Sequence, residues 1–290
     1  MAASVNTLTL KDAGYPEALR HINPAPKQLF WFGSNPSSWL GRPKVAIVGS
    51  RRVSPYGRSV TEKLATQLTE SGVVVISGLA LGMDAVAHQA TLKAGGTTIA
   101  VMPGGLDRIY PASHRNLALQ IIKQGGALVS EYPAGSEIRK YHFVKRNRIV
   151  AGLADVLLIT EAALKSGTLH TARFALEQGK TVMAVPGNID SPGSEGCNNL
   201  IKSGAVPVTD VDDVFFALGI TPSKKQFNQE AFKGTKTERQ ILKLISQGLN
   251  SQEELALASD LNAATITGVL TTLEIGGYIR PQGNGNWSLA

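Results

Sequence analysis

The strongest constraint in this chain is a set of short, unbroken apolar runs rich in β-branched residues: Val45–Val48 (VAIV), Val73–Ile76 (VVVI) and Val156–Ile159 (VLLI). A strand with one face in water alternates apolar and polar residues, so runs without alternation predict strands covered on both faces. Each run ends in a small-residue turn and leads into a longer amphipathic stretch. The same rhythm recurs at Thr97–Val101, Ala127–Val129, Thr181–Val185 and Val206–Val208. Strands spaced by helix-length intervals are joined by right-handed crossovers, which predicts an α/β fold with a doubly wound, mostly parallel sheet. Ligands of such sheets gather outside the carboxyl ends of the strands, so the residues just after each run are where function is sought.

The rhythm stops near Gly219. Residues 220–235 carry Pro222 and a mixture of Lys, Gln, Asn and Ser with few apolar side chains, which predicts a linker between a large domain at 41–219 and a small one at 236–290. Thr237–Ser246 has helical spacing of Ile241, Leu242, Leu244 and Ile245, Ser251 and Glu254 are spaced as a capping box, and Ala263–Ile275 reads as a third helix. Tyr278–Leu289 reads as a hairpin around Gly283–Gly285. Three helices and a hairpin predict a winged-helix-like domain. Residues 1–40 are expected to pack on the large domain as an N-terminal extension.

Composition narrows the partners. No apolar run approaches the roughly 18 to 20 residues of a membrane span, and Met1–Lys11 lacks a basic start followed by an apolar block, so no membrane association and a cytoplasmic location are expected. A single cysteine, Cys197, excludes an internal disulfide, and with five scattered histidines it offers no zinc pattern; neither metal nor cofactor is expected. The net charge of +7 favours polyanions. Its placement is more telling. RKYHFVKRNR, from Arg139 to Arg148, has five Lys/Arg and no acid, whereas the chain beyond residue 235 is close to neutral. The basic site therefore belongs to the large domain.

Four segments carry chemistry. Gly49–Ser50–Arg51–Arg52 follows the first run and precedes a helix. Glycine lets a ligand approach the backbone, helix-start amides favour an anion, and guanidiniums fork onto phosphate oxygens; the alternative is a tight turn with solvated arginines. The spacing is neither GxxxxGK[ST] nor GxGxxG. Ser77–Asp84 (SGLALGMD) opens backbone amides at Gly78 and Gly82, with Asp84 expected to cap the next helix and His88 to be packed rather than catalytic. Phe143 among Lys145, Arg146, Asn147 and Arg148 is the combination an unpaired strand requires, a ring to stack on a base beside cations for phosphate. Otherwise the ring is a core contact of an amphipathic helix and the cations a solvated face. Ser166–Gly167–Thr168 opens a further helix, where hydroxyls and amides receive a phosphate or the side chains simply cap.

Taken together with YPEALRHI, LFWFG, PGGLDRIYP, SEYP and AVPGN, the motifs IVGSRR, SGLALGMDAVAH, FVKRNRIVAGLAD and KSGTLHTARFALEQGK make the chain resemble the DprA/Smf family of DNA-processing proteins from about Tyr15 to Leu218. That resemblance implies a Rossmann-like domain that binds single-stranded DNA, forms a homodimer and helps load RecA recombinase onto strands during natural transformation. It assigns Arg51 and Arg52 to phosphate, Lys145, Arg146, Asn147 and Arg148 to the basic element, Phe143 to stacking, and Ser166–Gly167–Thr168 to a third phosphate loop.

The same fold resembles nucleotide phosphoribohydrolases of the lysine-decarboxylase-like group, which use PGGxGTxxE. Here Leu106, Asp107 and Arg108 follow Pro103–Gly104–Gly105, and the glutamate position of the later GT loop holds Thr171. With that acid missing from both places, no catalytic residue is expected, and a nucleotide-binding enzyme of that kind is the alternative.

Overall fold

The apolar runs become strands because their residues are buried from both sides. A computed structural model of the chain describes residues 5–221, 232, 234–283 and 285–289. Its strands are β1 (Asn6–Thr9), β2 (Gln28–Gly33), β3 (Lys44–Val48), β4 (Val74–Ser77), β5 (Thr98–Val101), β6 (Ala127–Ser130), β7 (Val156–Ile159), β8 (Thr181–Ala184) and β9 (Val206–Pro207). Each of the seven predicted runs forms a strand. Helices α1 (Glu17–Arg20), α2 (Pro55–Glu70), α3 (Met83–Lys93), α4 (Arg115–Lys123), α5 (Lys140–Leu153), α6 (Thr168–Glu177), α7 (Glu195–Lys202) and α8 (Val211–Leu218) alternate with them.

The sheet runs β1-β2-β6-β5-β4-β3-β7-β8-β9 and is parallel from β6 to β9. Val45 and Ile47 of β3 pack in one cluster with Leu64 and Leu68 of α2 and Phe215 of α8. Their neighbours Ala46 and Val48 pack in another, with Ile149 and Leu153 of α5 and Ala172 and Ala175 of α6. Successive strand residues point to opposite faces, so this division is the doubly wound, three-layer arrangement expected. After β6 the chain returns to β3 and continues outward on its other side, which makes the β3–β7 junction the switch point.

The N-terminal segment packs on the large domain and also extends its sheet, which the apolar rhythm does not announce. β1 pairs antiparallel with β2, and β2 pairs antiparallel with β6, with Phe30 opposite Ser130. Tyr15, Leu19 and Trp39 are buried in the core that α5 covers. Residues 1–221 accordingly form one compact unit.

The second unit contains α9 (Lys236–Ser246), α10 (Gln252–Ser259), α11 (Ala263–Ile275) and a hairpin of β10 (Ile279–Gly283) and β11 (Asn286–Leu289). The expected capping box is present: Glu254 N donates to Ser251 Oγ at 3.1 Å, and Ser251 N donates to a Glu254 carboxylate oxygen at 3.1 Å. Ile241, Leu242, Ile245, Leu255, Ile266, Leu270 and Leu273 form its core. Phe232 joins that core, so this end of the expected 220–235 linker belongs to the small unit; residues 222–231 and 233 lie outside the described residues. No described helix is long and apolar enough to cross a membrane.

Candidate functional site

The switch point holds a cavity of about 440 Å³ at the carboxyl ends of β3, β4 and β7. Gly49, Ser50, Arg51, Arg52, Gly78, Phe143, Arg146, Asn147, Ser166, Gly167 and Thr168 all line it. Lys145 and Arg148 do not. Arg52, Phe143 and Arg146, which come from two separate segments of the sequence, thus meet on one wall system.

The first loop is stitched from within and from β7. Ser50 Oγ donates to Arg52 O at 2.7 Å and accepts from Arg52 N at 3.1 Å, while Ser50 N donates to Glu161 O at 2.7 Å. Buried Glu161 also accepts Ser54 N through Oε2 at 3.1 Å, and Ser54 Oγ caps α2 by accepting Gly57 N. These bonds hold the backbone and leave the guanidiniums of Arg51 and Arg52 exposed.

The second loop lies backbone to backbone on the first. Met83 N donates to Ser50 O at 3.0 Å, and Gly82 has φ +90°, where a Cβ would sit 2.3 Å from Ser50 O. Only glycine meets both demands. Asp84 does not cap α3 as expected. Its Oδ2 turns back to accept Gly78 N at 3.0 Å and Ala80 N at 3.3 Å, because in the first turn of a helix that begins at Gly82 the carboxylate reaches the preceding loop. Burial pushes the Asp84 carboxyl up, opposed by the Arg146 charge and by those amides. His88 is fully buried, with Nδ1 2.7 Å from Thr98 Oγ1, and burial brings its imidazole down to about 3.

α5 supplies the third wall. Phe143, Arg146, Asn147 and Val150 follow the i, i+3, i+4, i+7 spacing of one helix face. The Phe143 ring is half-buried, its centroid 5.2 Å from that of Tyr110 in an edge-to-face arrangement and 5.8 Å from Arg51 Cζ. A smaller cavity of about 50 Å³ opens beside it between Arg51, Leu81, Pro103 and Tyr110. Arg146 is not on a solvated face. It is buried, its Nη1 donates to Gly78 O and, at 2.5 Å, to Val101 O, and burial lowers its guanidinium to about 10 against the pull of Asp84. The Gly78 Cα is pressed by that guanidinium, so a Cβ there would lie 2.1 Å from Arg146 Nη1.

Two expected residues lie elsewhere. Lys145 is exposed, with Nζ 5.5 Å above the Tyr141 ring. Arg148 is 4% exposed and pairs with Glu131 at 2.5 Å. The physical reason is helix geometry, since residues two apart on α5 point roughly 200° apart.

In the Ser166–Gly167–Thr168 loop, Thr168 Oγ1 donates to Gly49 O at 2.9 Å, and Ser166 Oγ donates to Thr168 Oγ1 at 3.0 Å while accepting Thr168 N. The hydroxyls therefore tie this loop to the first. The exposed cation here is Lys165, which lines the cavity and was not among the expected residues, although it opens the KSGTLHTA motif. Asp84 also lines the wall, and Thr171 closes the cavity on the α6 side.

The site thus contains buried Arg146 and Asp84, whose opposite charges attract, together with three exposed cations, Arg51, Arg52 and Lys165, and the Phe143 ring in its lining. Such a cavity attracts phosphate and offers a base a face. The sequence matches the model of the DNA recombination-mediator protein A family over residues 6–219. The chain belongs to this family. Residues 225–285 match the DprA winged helix domain. Protein Smf of Escherichia coli is 48% identical over 171 residues, 59% of this chain and 46% of that protein, so the chain spans about half the length of this relative. The structure of DNA processing protein A from Streptococcus pneumoniae is similar with a TM-score of 0.68 and 41% identity, covering 73% of this chain and 74% of that one. The Helicobacter pylori protein, whose structure addresses its single-stranded DNA binding mode, gives 0.65 and 34% identity, covering 75% of this chain and 98% of that one.

Proposed function

We propose that this chain binds single-stranded DNA in the switch-point cavity, with little sequence preference, and delivers the strand to RecA recombinase as a homodimer during natural transformation. The observation that carries the binding reading is the convergence of Arg51, Arg52, Lys165 and the Phe143 ring on one cavity. Phosphates go to the exposed cations and to amides at the start of α6, and a base stacks on Phe143. Because cations and a ring serve every base alike, such a site discriminates strand form more than sequence. The recombination role is supported by membership of the family, and single-stranded DNA as the ligand by the Helicobacter pylori relative.

The deciding experiment titrates labelled oligonucleotide, single and double stranded, at two salt concentrations. A preference for single strands with steep salt dependence is expected. Equal affinity for both forms overturns the reading.

One observation favours the second reading, an enzyme acting on nucleotides: Asp84, a buried carboxyl whose protonation burial favours, lines the cavity wall. Against it, Oδ2 is held by two loop amides and the Arg146 charge lies beside it, the environment of a structural carboxylate. Incubation with nucleoside monophosphates is expected to release no base; release that disappears in Asp84→Asn would establish the enzyme instead.

A further inference from the structure

We infer that Arg148 is a positioning residue: its buried ion pair with Glu131 fixes the rotation of α5 that presents Phe143, Arg146 and Asn147 to the cavity, and it makes no contact with nucleic acid. The inference rests on the single-stranded DNA reading and concerns how that site is held.

Glu131 is the first residue after β6, and Arg148 reaches it across 2.5 Å with the two side chains 14% and 4% exposed. On the opposite side of the same helix turn, Arg146 Nη1 donates to Gly78 O after β4 and to Val101 O at the end of β5. Two arginines two residues apart, on opposite faces of one helix, therefore pin α5 to the carboxyl ends of three adjacent parallel strands. The anchoring is reinforced behind Arg148, where Gln178 Nε2 donates to its carbonyl at 3.0 Å, and Gly152, one turn on, lies so close to Leu19 that a Cβ would sit 2.8 Å from Leu19 Cδ2. A helix held at both faces cannot roll. Phe143, with no hydrogen bond of its own, depends on that fixed roll for its place between Tyr110 and Arg51.

A phosphate ligand and a positioning residue leave different traces in salt. Each phosphate contact contributes about 0.7 to the slope of log affinity against log salt for a single strand, so Arg148→Met should raise Kd about tenfold with the slope unchanged. Removing one partner of a buried pair strands the other charge, whereas removing both often restores the packing. Glu131→Leu/Arg148→Met should therefore bind within about threefold of the parent. If Arg148 acts through Phe143, the Kd penalties of Arg148→Met and Phe143→Ala combine to less than their product, a coupling that a purely stabilising role would not produce.

The measurement is Kd for an oligonucleotide across a salt series, on proteins whose thermal unfolding shows them folded at the assay temperature. A slope lowered by about 0.7 in Arg148→Met or in the double variant, or penalties that multiply with Phe143→Ala, overturns the inference. Should Arg148→Met fail to fold, the double variant decides by its slope and affinity alone. If the parent chain binds no single strand, the proposed function fails separately. The inference is then judged by amide exchange at residues 143–147, expected to be fast in Arg148→Met and restored in the double variant, and overturned if both match the parent.

Discussion

At the carboxyl edge of the large sheet, Arg51, Arg52 and Lys165 stand exposed around one cavity, whereas α11 of the small unit and its flanks, Asp260 to Ile279, contain no Lys or Arg. The winged helix is a fold whose recognition helix commonly enters a duplex groove, yet duplex affinity rests largely on neutralised phosphates. The large unit has a fold shared with many nucleotide-binding proteins, and its cations are arranged at the switch point. On the proposed reading, the placement of cations rather than the presence of a motif sets which unit meets the polyanion. We expect the small unit to contact protein or serve the large domain, and not to read bases.

The comparison is tested most severely by Gly82→Ala. A methyl group there meets Ser50 O at 2.3 Å and Arg51 Cα at 2.6 Å with φ held at +90°. Strain and overpacking together should cost the large unit about 3 kcal/mol or more. Calorimetry should show the large-unit transition moving down with the small-unit transition in place; two transitions that move together would mean the units do not unfold independently. Next in size is Arg52→Ala. It should weaken single-strand binding roughly ten- to a hundredfold for all sequences alike and lower the salt slope by about 0.7. An unaffected Kd would remove the exposed cations from the argument.

How much of this was readable beforehand follows from what each residue depends on. β3, β4 and β7 were legible because burial on both faces leaves no polar position within the runs Val45–Val48, Val73–Ile76 and Val156–Ile159. β2 escaped the rhythm because its antiparallel partner β6 lies far along the chain, Ser130 opposite Phe30, and β1 pairs antiparallel on β2, so no crossover announces either strand. The cavity loops were legible through Gly49, Gly78 and Gly82, whose roles are steric. Arg148 was misplaced because a basic run conveys charge but not direction, although helix period alone separates it from Arg146. Asp84 looked like a cap, since local spacing cannot reveal that the carboxylate folds back onto Gly78 and Ala80. Phe232 was the one aromatic side chain of the described end of a polar stretch, a signal for the small core that the linker composition obscured.

Phe143→Ala separates ring from charge. Stacking on one base is worth about 1–3 kcal/mol and releases few ions, so Kd should rise while the salt slope stays within error of the parent. A slope that falls with the ring removed would mean that Phe143 chiefly holds Arg51, which lies 5.8 Å from it, and that the base face is incidental.

The smallest effect expected is the most direct check on the small unit. A chain ending at Thr221 keeps the whole large unit, and its single-strand Kd should stay within about threefold of the full chain, because the deleted part is close to neutral and carries none of the cavity. The converse variant adds charge where it is lacking. Ala264 and Thr271 are exposed on α11, seven positions apart and so on one face, and Ala264→Lys/Thr271→Lys should give the full chain a salt-sensitive duplex affinity it otherwise lacks. If truncation instead weakens single-strand binding tenfold or more, the small unit carries affinity without cations of its own on α11, and charge placement is not the rule that divides labour in this molecule.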